Sequence, residues 1–423
     1  MAASMSDLES KVVQEIAKEL EGKDQSKEVL DHLQKLHLDV TVSRKDKEQA
    51  ESWLRWASHQ KHLKIVRADV PIGVLPDGLE GEVIDVKVFT KRGPDDAIYD
   101  SNKAIRQKVA RGNSFLEIHG GPEAGVRCVL QAMKKFTGGL GDDDDRDSGD
   151  NLAWKKYFSK PIEDAKAIIA TKKANGEAGH LSCRLIGGKF VMCGGSKNVH
   201  MMFRTKDDIK KYGEPRFRIA REVCDTVIDS LDKMGEEKKE MLLRFMAWSR
   251  YTAIFEILAP DHQHVEDLSY LAGPELKFIT WTRCDLEPTE ESSTGAVPPH
   301  VGIEIARALG LSPVTYEVLK MTDLERRMKE IRQGYQYEGE VLYFMDDEGE
   351  VIGLLKKKTV WYVMCRAVRE KLRNACTMID KSPDSFSLTK CKNKTEKRID
   401  EIQVWLGLSG DTIQQWKVSQ LND

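Results

Sequence analysis

Two segments of the sequence predict β-hairpins, and this feature constrains the fold more than any other. Residues 181–195 read LSCRLIGGKFVMCGG, with a Gly-Gly turn, and residues 338–359 read EGEVLYFMDDEGEVIGLLKKKT, with a turn at Asp-Asp-Glu-Gly. A hairpin joins neighbouring strands that run in opposite directions. Further strands are predicted in GEVIDVKVFT, TAIFEIL and ELKFITWT, with helices of uneven length between them. The sequence therefore favours an antiparallel α+β core over a regular series of βαβ units.

Both ends of the chain are predicted to be helical. The first 60 residues contain no proline and repeat apolar residues at helical spacing, and a helical pattern returns from Trp361 to the end. We therefore predict a helical N-terminal extension over 1–75, a central domain over 76–360 and a helical C-terminal region over 361–423. Within the central domain, helical spacing is also predicted in PIEDAKAIIA and in YEVLKMTDLERRMKEIRQG.

The charge and cysteine content exclude several broad classes. The formal net charge of -3 balances 66 basic against 69 acidic side chains, so a polyanion site must be a local cluster. Eight cysteines without a Cys-x-x-Cys pair favour reduced thiols. With neither a secretory signal nor a long apolar run, we expect an intracellular protein, cytoplasmic or nuclear, without a membrane partner. The acidic run at 141–150 predicts a solvated loop, with metal binding as the alternative.

The stretch TKKANGEAGH, residues 171–180, places lysines beside an Asn-Gly turn. A nucleophilic lysine requires a site that depresses its pKa. If it attacks a nucleoside triphosphate, it also requires donors for the phosphates, an acid for the ribose hydroxyls and carboxylates for magnesium. The sequence offers candidates for these roles in the order Lys173, Ser196, Lys197, Glu256, Glu338, Lys356 and Lys358.

Each candidate also has a structural interpretation. Glu256 lies in the apolar strand AIFEILAP and must be either used or paired in a salt bridge. Lys356 and Lys358 share one face of a strand, and such lysines also protect exposed sheet edges from aggregation. Asn175 and Gly176 are common turn residues whether or not a turn is functional.

Four ordered motifs resemble those of the covalent nucleotidyltransferases, which comprise RNA ligases, DNA ligases and mRNA capping enzymes. The similar segments are KANGE (173–177), IFEIL (254–258), EGEVLYF (338–344) and LKKKT (355–359). Residues 100 to 375 resemble in particular the sealing domain of fungal tRNA ligases and the related phage RNA ligases. Three flanking segments, VARGNSFLEI, MKKFTGG and TVWYVMCRAVREKLR, are also similar to segments of that group.

The resemblance implies an antiparallel-sheet nucleotidyltransferase core that uses ATP and Mg²⁺ or Mn²⁺. It implies that Lys173 is the nucleophile, that Glu256 accepts a ribose hydroxyl, and that Glu338 binds the metal or activates the lysine. The implied catalytic set is completed by Lys356 and Lys358. The implied nucleotide contacts are Arg111, Asn175, Gly176, Ser196, Lys197, Glu256, Lys356 and Lys358, and the implied RNA contacts are Arg366 and Arg369.

The function implied is an ATP-dependent RNA ligase that joins 5'-phosphate and 3'-hydroxyl ends through a lysyl-AMP intermediate, in tRNA splicing or RNA repair. The sequence contains neither a phosphate-binding Gly-x-x-x-x-Gly-Lys-Ser/Thr loop nor paired His-x-Ser/Thr motifs. We therefore expect a separate end-healing kinase and phosphodiesterase as partners, and the resemblance implies tRNA halves as the substrate. Two alternatives stay open: a GTP-using mRNA capping guanylyltransferase, and a catalytically silent RNA-binding protein with the same fold.

Overall fold

The computed structural model describes residues 5–36, 40–91, 93, 95–138, 153–288, 294–411 and 413–414. The predicted acidic loop at 141–150 lies outside these ranges. The strands are β1 (Leu63–Asp69), β2 (Glu80–Val88), β3 (Asn113–His119), β4 (Gly125–Gln131), β5 (Ala167–Lys172), β6 (Glu177–Ile186), β7 (Lys189–Ser196), β8 (Val199–Phe203), β9 (Thr252–Leu258), β10 (Glu275–Thr282), β11 (Tyr316–Lys320), β12 (Gly339–Met345) and β13 (Val351–Lys358). The α-helices are α1 (Met5–Glu19), α2 (Ser26–Gln34), α3 (Arg44–Ser58), α4 (Asp96–Ser101), α5 (Lys103–Lys108), α6 (Lys206–Lys210), α7 (Arg218–Lys233), α8 (Glu236–Ser249), α9 (Pro299–Ala308), α10 (Leu324–Arg332), α11 (Val360–Lys381) and α12 (Leu388–Leu406).

The described strands form three sheets. Their orders are β1-β2-β3-β4 in the first sheet, β10-β9-β6-β7-β8 in the second and β11-β5-β12-β13 in the third. Every pairing between these strands is antiparallel. The fold is therefore α+β, as the two predicted hairpins indicated.

The second sheet is the centre of the molecule. One of its faces packs against the first sheet through residues such as Val83, Val129 and Val191. Its other face is covered by helices, and Val12 of α1 and Val29 of α2 are fully buried in that same core. Helices α1 and α2 therefore belong to the main hydrophobic core.

The third sheet is also covered on both faces. Ile331 of α10 packs with Leu342 and Phe344 of β12 on one face. On the other face, Val341 and Tyr343 pack with Met133, which follows β4. Helices α11 and α12 pack against each other in a separate small core. Among the helices in the described ranges, none combines the length and the apolar character needed to cross a membrane.

Two helix predictions are wrong, and one predicted boundary falls inside a sheet. The segment PIEDAKAIIA forms a short 3-10 turn followed by β5, and YEVLK forms β11 before α10 begins. A short apolar run is compatible with a buried strand as well as with a helix. Here the segment is a strand because β5 pairs with both β11 and β12. The boundary at residue 75 divides the first sheet, because β1 pairs with β2 from Leu63 to Asp69.

Candidate active site

The segment Lys173–Gly176 crosses from the third sheet to the second. It follows the last residue of β5 and precedes the first residue of β6. The Lys173 N–H donates to the carbonyl oxygen of Gly339 at 2.9 Å, which continues the pairing of β5 with β12 by one residue. Side chains of this segment therefore lie where the two sheets meet.

Lys173 forms an ion pair with Glu338, the residue before β12. The Nζ atom lies 3.0 Å from Oε1 of Glu338, and the Glu338 side chain is only 4% exposed. Burial alone would lower the pKa of Lys173, but the charges of Glu338 and Glu256 outweigh it and raise that pKa above its usual range. The ion pair with Glu338 therefore favours the protonated amine of Lys173, whereas a nucleophilic lysine requires a depressed pKa.

Asn175 connects this ion pair to a neighbouring loop. Its Nδ2 donates to Glu338 Oε2 at 2.7 Å, and its Oδ1 accepts the backbone N–H groups of Val265 at 2.9 Å and Glu266 at 3.2 Å. The Asn175 side chain is almost fully buried. These partners fix the orientation of the Asn175 amide. Its oxygen must face the two backbone N–H groups, and its NH2 group must face Glu338.

Gly176 and Glu256 join the segment to the second sheet. The Gly176 N–H donates to Glu256 Oε1 at 3.0 Å. A Cβ atom on Gly176 would lie 2.1 Å from the carbonyl oxygen of Ile257, so only glycine allows this approach. Burial raises the pKa of Glu256 to about 7, although the charge of Lys173 opposes this shift. Near neutral pH, Glu256 can therefore both accept and donate a hydrogen bond.

Lys356 and Lys358 end β13 beside the same strand. Lys358 is opposite Gly339 and Lys356 is opposite Val341, so the two lysines share one face of the sheet. Gly339 has a φ of +146°, and a Cβ there would lie 2.1 Å from the carbonyl oxygen of Lys357. Lys173 and Lys358 therefore lie on the strands at either side of Gly339. The Lys358 side chain is buried.

Two residues of this site were missed in the sequence. Tyr362, in the first turn of α11, has its hydroxyl 3.4 Å from Asn175 Nδ2, and its ring centroid is 5.8 Å from Lys358 Nζ. Glu266 accepts the backbone N–H of Glu338 at 2.7 Å. The segment TVWYVMCRAVREKLR pointed to α11 but not to a particular tyrosine, and no motif marks Glu266.

Arg111 and Lys197 form a second cluster around Asp95, which was also missed. Asp95 Oδ2 lies 3.0 Å from Arg111 Nη2 and 3.2 Å from Lys197 Nζ. Burial opposes ionisation of Asp95, but the two cations lower its pKa below the usual value. Ser196 ends β7 immediately before Lys197.

The two clusters lie along one edge of the second sheet. β6 begins at Glu177 and the antiparallel β7 ends at Ser196, so these ends are adjacent. Glu256 pairs with Ala178 on the other side of β6. Glu256 and Lys197 are therefore two strand spacings apart, about 10 Å between their backbones.

Arg366 and Arg369 lie on α11, which begins directly after β13. Thr359 caps this helix through Oγ1, which accepts the Tyr362 N–H at 3.0 Å. Arg366 Nε lies 3.0 Å from Glu370 Oε1, a pair along the helix surface. The predicted RNA contact of both arginines stays a prediction.

The residues around Lys173 include no preassembled three-residue metal site within the described ranges. Among the described residues, the three side chains that lie close enough together to hold a metal ion are on the first sheet: Glu82, Glu117 and His119. Both of its glutamates pair with Arg67, at 2.8 and 2.7 Å. At the Lys173 site, Glu338 is the carboxylate closest to the lysine, and both of its oxygens already accept hydrogen bonds or an ion pair.

The chain belongs to the family described as Domain of unknown function (DUF7920), which matches residues 54–369. Among solved structures, it is similar to an RNA ligase mutant of Naegleria gruberi solved with ATP and Mn, with 11% sequence identity and a TM-score of 0.29. That match covers 71% of this chain and 97% of the other. No curated protein sequence matches. A TM-score this low does not establish a shared fold.

Proposed function

We propose that this chain is an ATP-dependent RNA ligase that joins 5'-phosphate and 3'-hydroxyl ends, with Lys173 as the nucleophile. The observation that carries the proposal is the convergence of residues distant in sequence on one lysine. Lys173 contacts Glu338 at 3.0 Å, and the adjoining turn contacts Glu256 at 3.0 Å. An ordinary charged turn would not require two partly or fully buried carboxylates beside a lysine.

In the first step, Lys173 loses its proton and attacks the α-phosphorus of ATP. The new P–N bond forms as the bond from the α-phosphorus to the bridging oxygen breaks, and pyrophosphate leaves with the electron pair. Lys358 and Lys356 would stabilise the charge on the phosphate oxygens, since they lie on β13 opposite the start of β12, which Glu338 precedes. Glu256 would hold the ribose hydroxyls.

The remaining phosphates would extend along the sheet edge towards Arg111 and Lys197. The backbone of Lys197 lies about 10 Å from that of Glu256, two strand spacings across β6, and Arg111 shares Asp95 with Lys197. Both pair with Asp95, and an incoming phosphate group would have to compete with this carboxylate for them. Ser196, Asn175 and Gly176 would shape the same pocket.

In the second and third steps, the AMP moves to RNA and is then released. An oxygen of the RNA 5'-phosphate attacks the α-phosphorus, the P–N bond breaks, and Lys173 regains a proton. A 3'-hydroxyl then attacks the activated 5'-phosphorus, and AMP leaves as the phosphodiester forms. Arg366 and Arg369 are the proposed RNA contacts. Specific substrates such as tRNA halves, and separate end-healing enzymes, stay predictions.

A divalent cation, Mg²⁺ or Mn²⁺, would neutralise phosphate charge in this reaction. The donor set fits such an ion in chemistry, because Glu338, Glu256 and Glu266 supply carboxylate oxygens near Lys173. Glu338 is the proposed ligand. Its ion pair with Lys173 would then be exchanged, which would also lower the pKa of the lysine.

The test is intact mass spectrometry of the whole chain after incubation with magnesium and either ATP or GTP. We expect a gain of about 329 Da with ATP, the mass of a covalent AMP. Lys173→Ala should abolish the gain and the neighbouring Lys172→Ala should retain it. A GMP adduct would indicate a capping guanylyltransferase instead. No adduct from folded protein would contradict the proposal and favour a silent RNA-binding protein.

If the AMP adduct forms, RNA joining is tested directly. A 5'-phosphorylated RNA with a 3'-hydroxyl should be circularised or joined in the presence of ATP, and a 5'-hydroxyl RNA should not. An adenylylated protein that leaves both RNAs unjoined would contradict the ligase assignment while retaining nucleotidyl transfer.

A further inference from the structure

A cavity of about 800 Å³ lies under the N-terminal helices. Residues of α2 and α3 form one side of it, and residues Glu348–Glu350, in the turn between β12 and β13, form another. Glu338 and Lys358 lie at the opposite end of this hairpin, and the seven residues of β12 span about 20 Å. The cavity is therefore separate from the Lys173 site.

Four arginines from different strands and strand ends line the cavity: Arg127, Arg184, Arg250 and Arg283. Three of these form ion pairs: Arg127 with Glu123 at 2.8 Å, Arg250 with Asp46 at 3.2 Å, and Arg283 with Glu350 at 2.7 Å. Arginine stays protonated even when it is buried. The lining also contains Lys35 and five carboxylates, so its formal charges balance and any positive charge is local to one arginine. The carboxylates are Glu28, Asp31, Asp46, Glu348 and Glu350.

Arg184 has no carboxylate partner within 4.0 Å of its guanidinium among the residues that the structure describes. It is 5% exposed and donates to two backbone carbonyl oxygens, those of Cys183 at 2.8 Å and Arg250 at 3.4 Å. A buried charge that is only partly satisfied costs several kcal/mol unless an anion joins it. An anion in the cavity would therefore be stabilised beside Arg184.

Arg127 offers a second unused donor. Its side chain is 3% exposed, and its Nε has no hydrogen-bond partner among the described residues. A buried N–H of this kind is normally satisfied by protein, water or ligand. Arg127 and Arg184 therefore both have unused hydrogen-bond donors at the cavity wall.

Two thiols lie on the same wall as Arg184. Cys128 and Cys284 contact each other and line the cavity. The contact with Cys128 and the charges of Arg184 and Arg250 lower the pKa of the Cys284 thiol, although burial opposes this. Cys284 therefore lies close enough to Arg184 for its reactivity to report on the charge there.

The rest of the lining is mixed, with apolar side chains such as Leu36, Val42 and Leu286 and the ring of Tyr251. The volume lies in the range of small-molecule sites. We propose that this cavity binds a small organic phosphate of nucleotide size, with its phosphate on Arg184 and Arg127 and with α2 and α3 closing over its body. The site would give the N-terminal helices a role in ligand binding as well as in the core.

The proposal is tested by alkylation of the whole chain, followed cysteine by cysteine with peptide mass spectrometry. Anionic iodoacetate and neutral iodoacetamide are compared at Cys284, with Cys376, which is exposed on α11, as the internal reference. We expect the rate ratio of iodoacetate to iodoacetamide to be about tenfold higher at Cys284, because the nearby charge of Arg184 attracts anions to this thiol. AMP should slow alkylation of Cys284 and leave Cys376 unaffected.

Arg184→Gln should remove both the preference for iodoacetate and the protection by AMP, and Arg184→Lys should retain part of each. A variant that fails to fold is recognised by alkylation of Cys224, which is fully buried in the native chain. The wild-type measurements need no variant. Equal rate ratios at Cys284 and Cys376, or no protection by AMP, would overturn the proposal.

One further arm identifies the source of the phosphate. A 5'-phosphorylated oligoribonucleotide should not protect Cys284 at concentrations where AMP does, because α2 and α3 leave room for a small molecule. Protection by the oligonucleotide and not by AMP would overturn the small-molecule proposal and indicate an RNA end. The Lys173→Ala chain should give the same results as wild type, which separates this proposal from the ligase activity.

Discussion

Lys173 and Glu338 form an ion pair with a Nζ to Oε1 distance of 3.0 Å, and Asn175 binds the other oxygen of the same carboxylate at 2.7 Å. The proposed nucleophile is therefore held as an ammonium ion before substrate binds. Its position is fixed by this pair, but its reactivity depends on losing the proton. Position and reactivity are thus controlled by one carboxylate.

Adenylylation of Lys173 should accelerate as the pH rises from about 6 to 9. Glu338 and Glu256 raise the pKa of Lys173 above its usual range, so the neutral amine is a minor form at neutral pH and increases with pH. The measurement is the single-turnover rate of AMP adduct formation at saturating ATP. A rate that is flat across this range would contradict the prediction.

Glu338→Gln is the matched variant for this pH profile. Removing the nearest negative charge lowers the pKa of Lys173, so the profile should shift to lower pH even if the maximal rate falls. Glu340→Gln is the control, because Glu340 pairs with Arg327 at 2.9 Å and belongs to a different ion pair. An unchanged midpoint in Glu338→Gln would show that Glu338 does not set the pKa.

Asn175→Asp should destabilise the site, and Glu338→Gln should rescue it. The aspartate would keep the acceptor for the Val265 and Glu266 N–H groups but would place a carboxylate oxygen against Glu338 at the present 2.7 Å. We expect a loss of about 3 kcal/mol in the free energy of unfolding, typical of an uncompensated buried charge. In the double variant, the new glutamine amide at position 338 would donate to the new carboxylate at position 175, which reverses the direction of the native hydrogen bond.

The measurement for this pair is denaturant unfolding of the two single variants and the double variant. Recovery of more than half of the loss in the double variant is expected, because it restores a donor and an acceptor. Additive losses in the double variant would show that the Asn175 amide does not serve Glu338.

The antiparallel architecture could be predicted because hairpins leave a local signal. The turn at Gly187 and Gly188 joins β6 and β7, and the β12–β13 hairpin turns where expected. β5 could not be distinguished from a helix, since it is a short apolar run buried between β11 and β12. β1 was missed because its sequence follows a helical segment without a proline or glycine boundary. In both cases the segment is a strand because it pairs with strands distant in sequence, which the local sequence pattern does not show.

The site was predictable only as far as its motifs extend. Lys173, Glu256 and Glu338 stand in ordered motifs, and the structure brings them together. Asp95 and Glu266 carry no motif, and their importance comes from contacts between segments distant in sequence. The raised pKa of Lys173 depends on the distance to Glu338, which no spacing in the sequence encodes.

Gly176→Ala should destabilise the chain and disrupt the contact with Glu256. The added Cβ would meet the Ile257 carbonyl oxygen at 2.1 Å, and this backbone atom cannot move without separating β6 from β9. We expect a loss of about 2 kcal/mol, the usual cost of forcing atoms into a packed site. Gly273→Ala is the matched control, because no atom of the described residues lies within 4 Å of its added Cβ.

Thermal or denaturant unfolding of the two glycine variants checks this expectation. Gly273→Ala should change the free energy of unfolding by less than about 0.5 kcal/mol. If Gly176→Ala behaves in the same way, the Asn-Gly turn is not sterically restricted, and a glycine there would serve only the local turn.

Asp95→Asn should lower the KM for ATP in adenylylation, if Arg111 and Lys197 bind the triphosphate as proposed. The carboxylate now lies 3.0 Å from Arg111 and 3.2 Å from Lys197 and competes with an incoming phosphate for both. The pair is partly exposed, so we expect a decrease of about threefold, with little change in kcat. Asp100→Asn is the control, because Asp100 pairs with Lys156. An unchanged or higher KM in Asp95→Asn would mean that Asp95 positions the two cations and does not compete with the nucleotide.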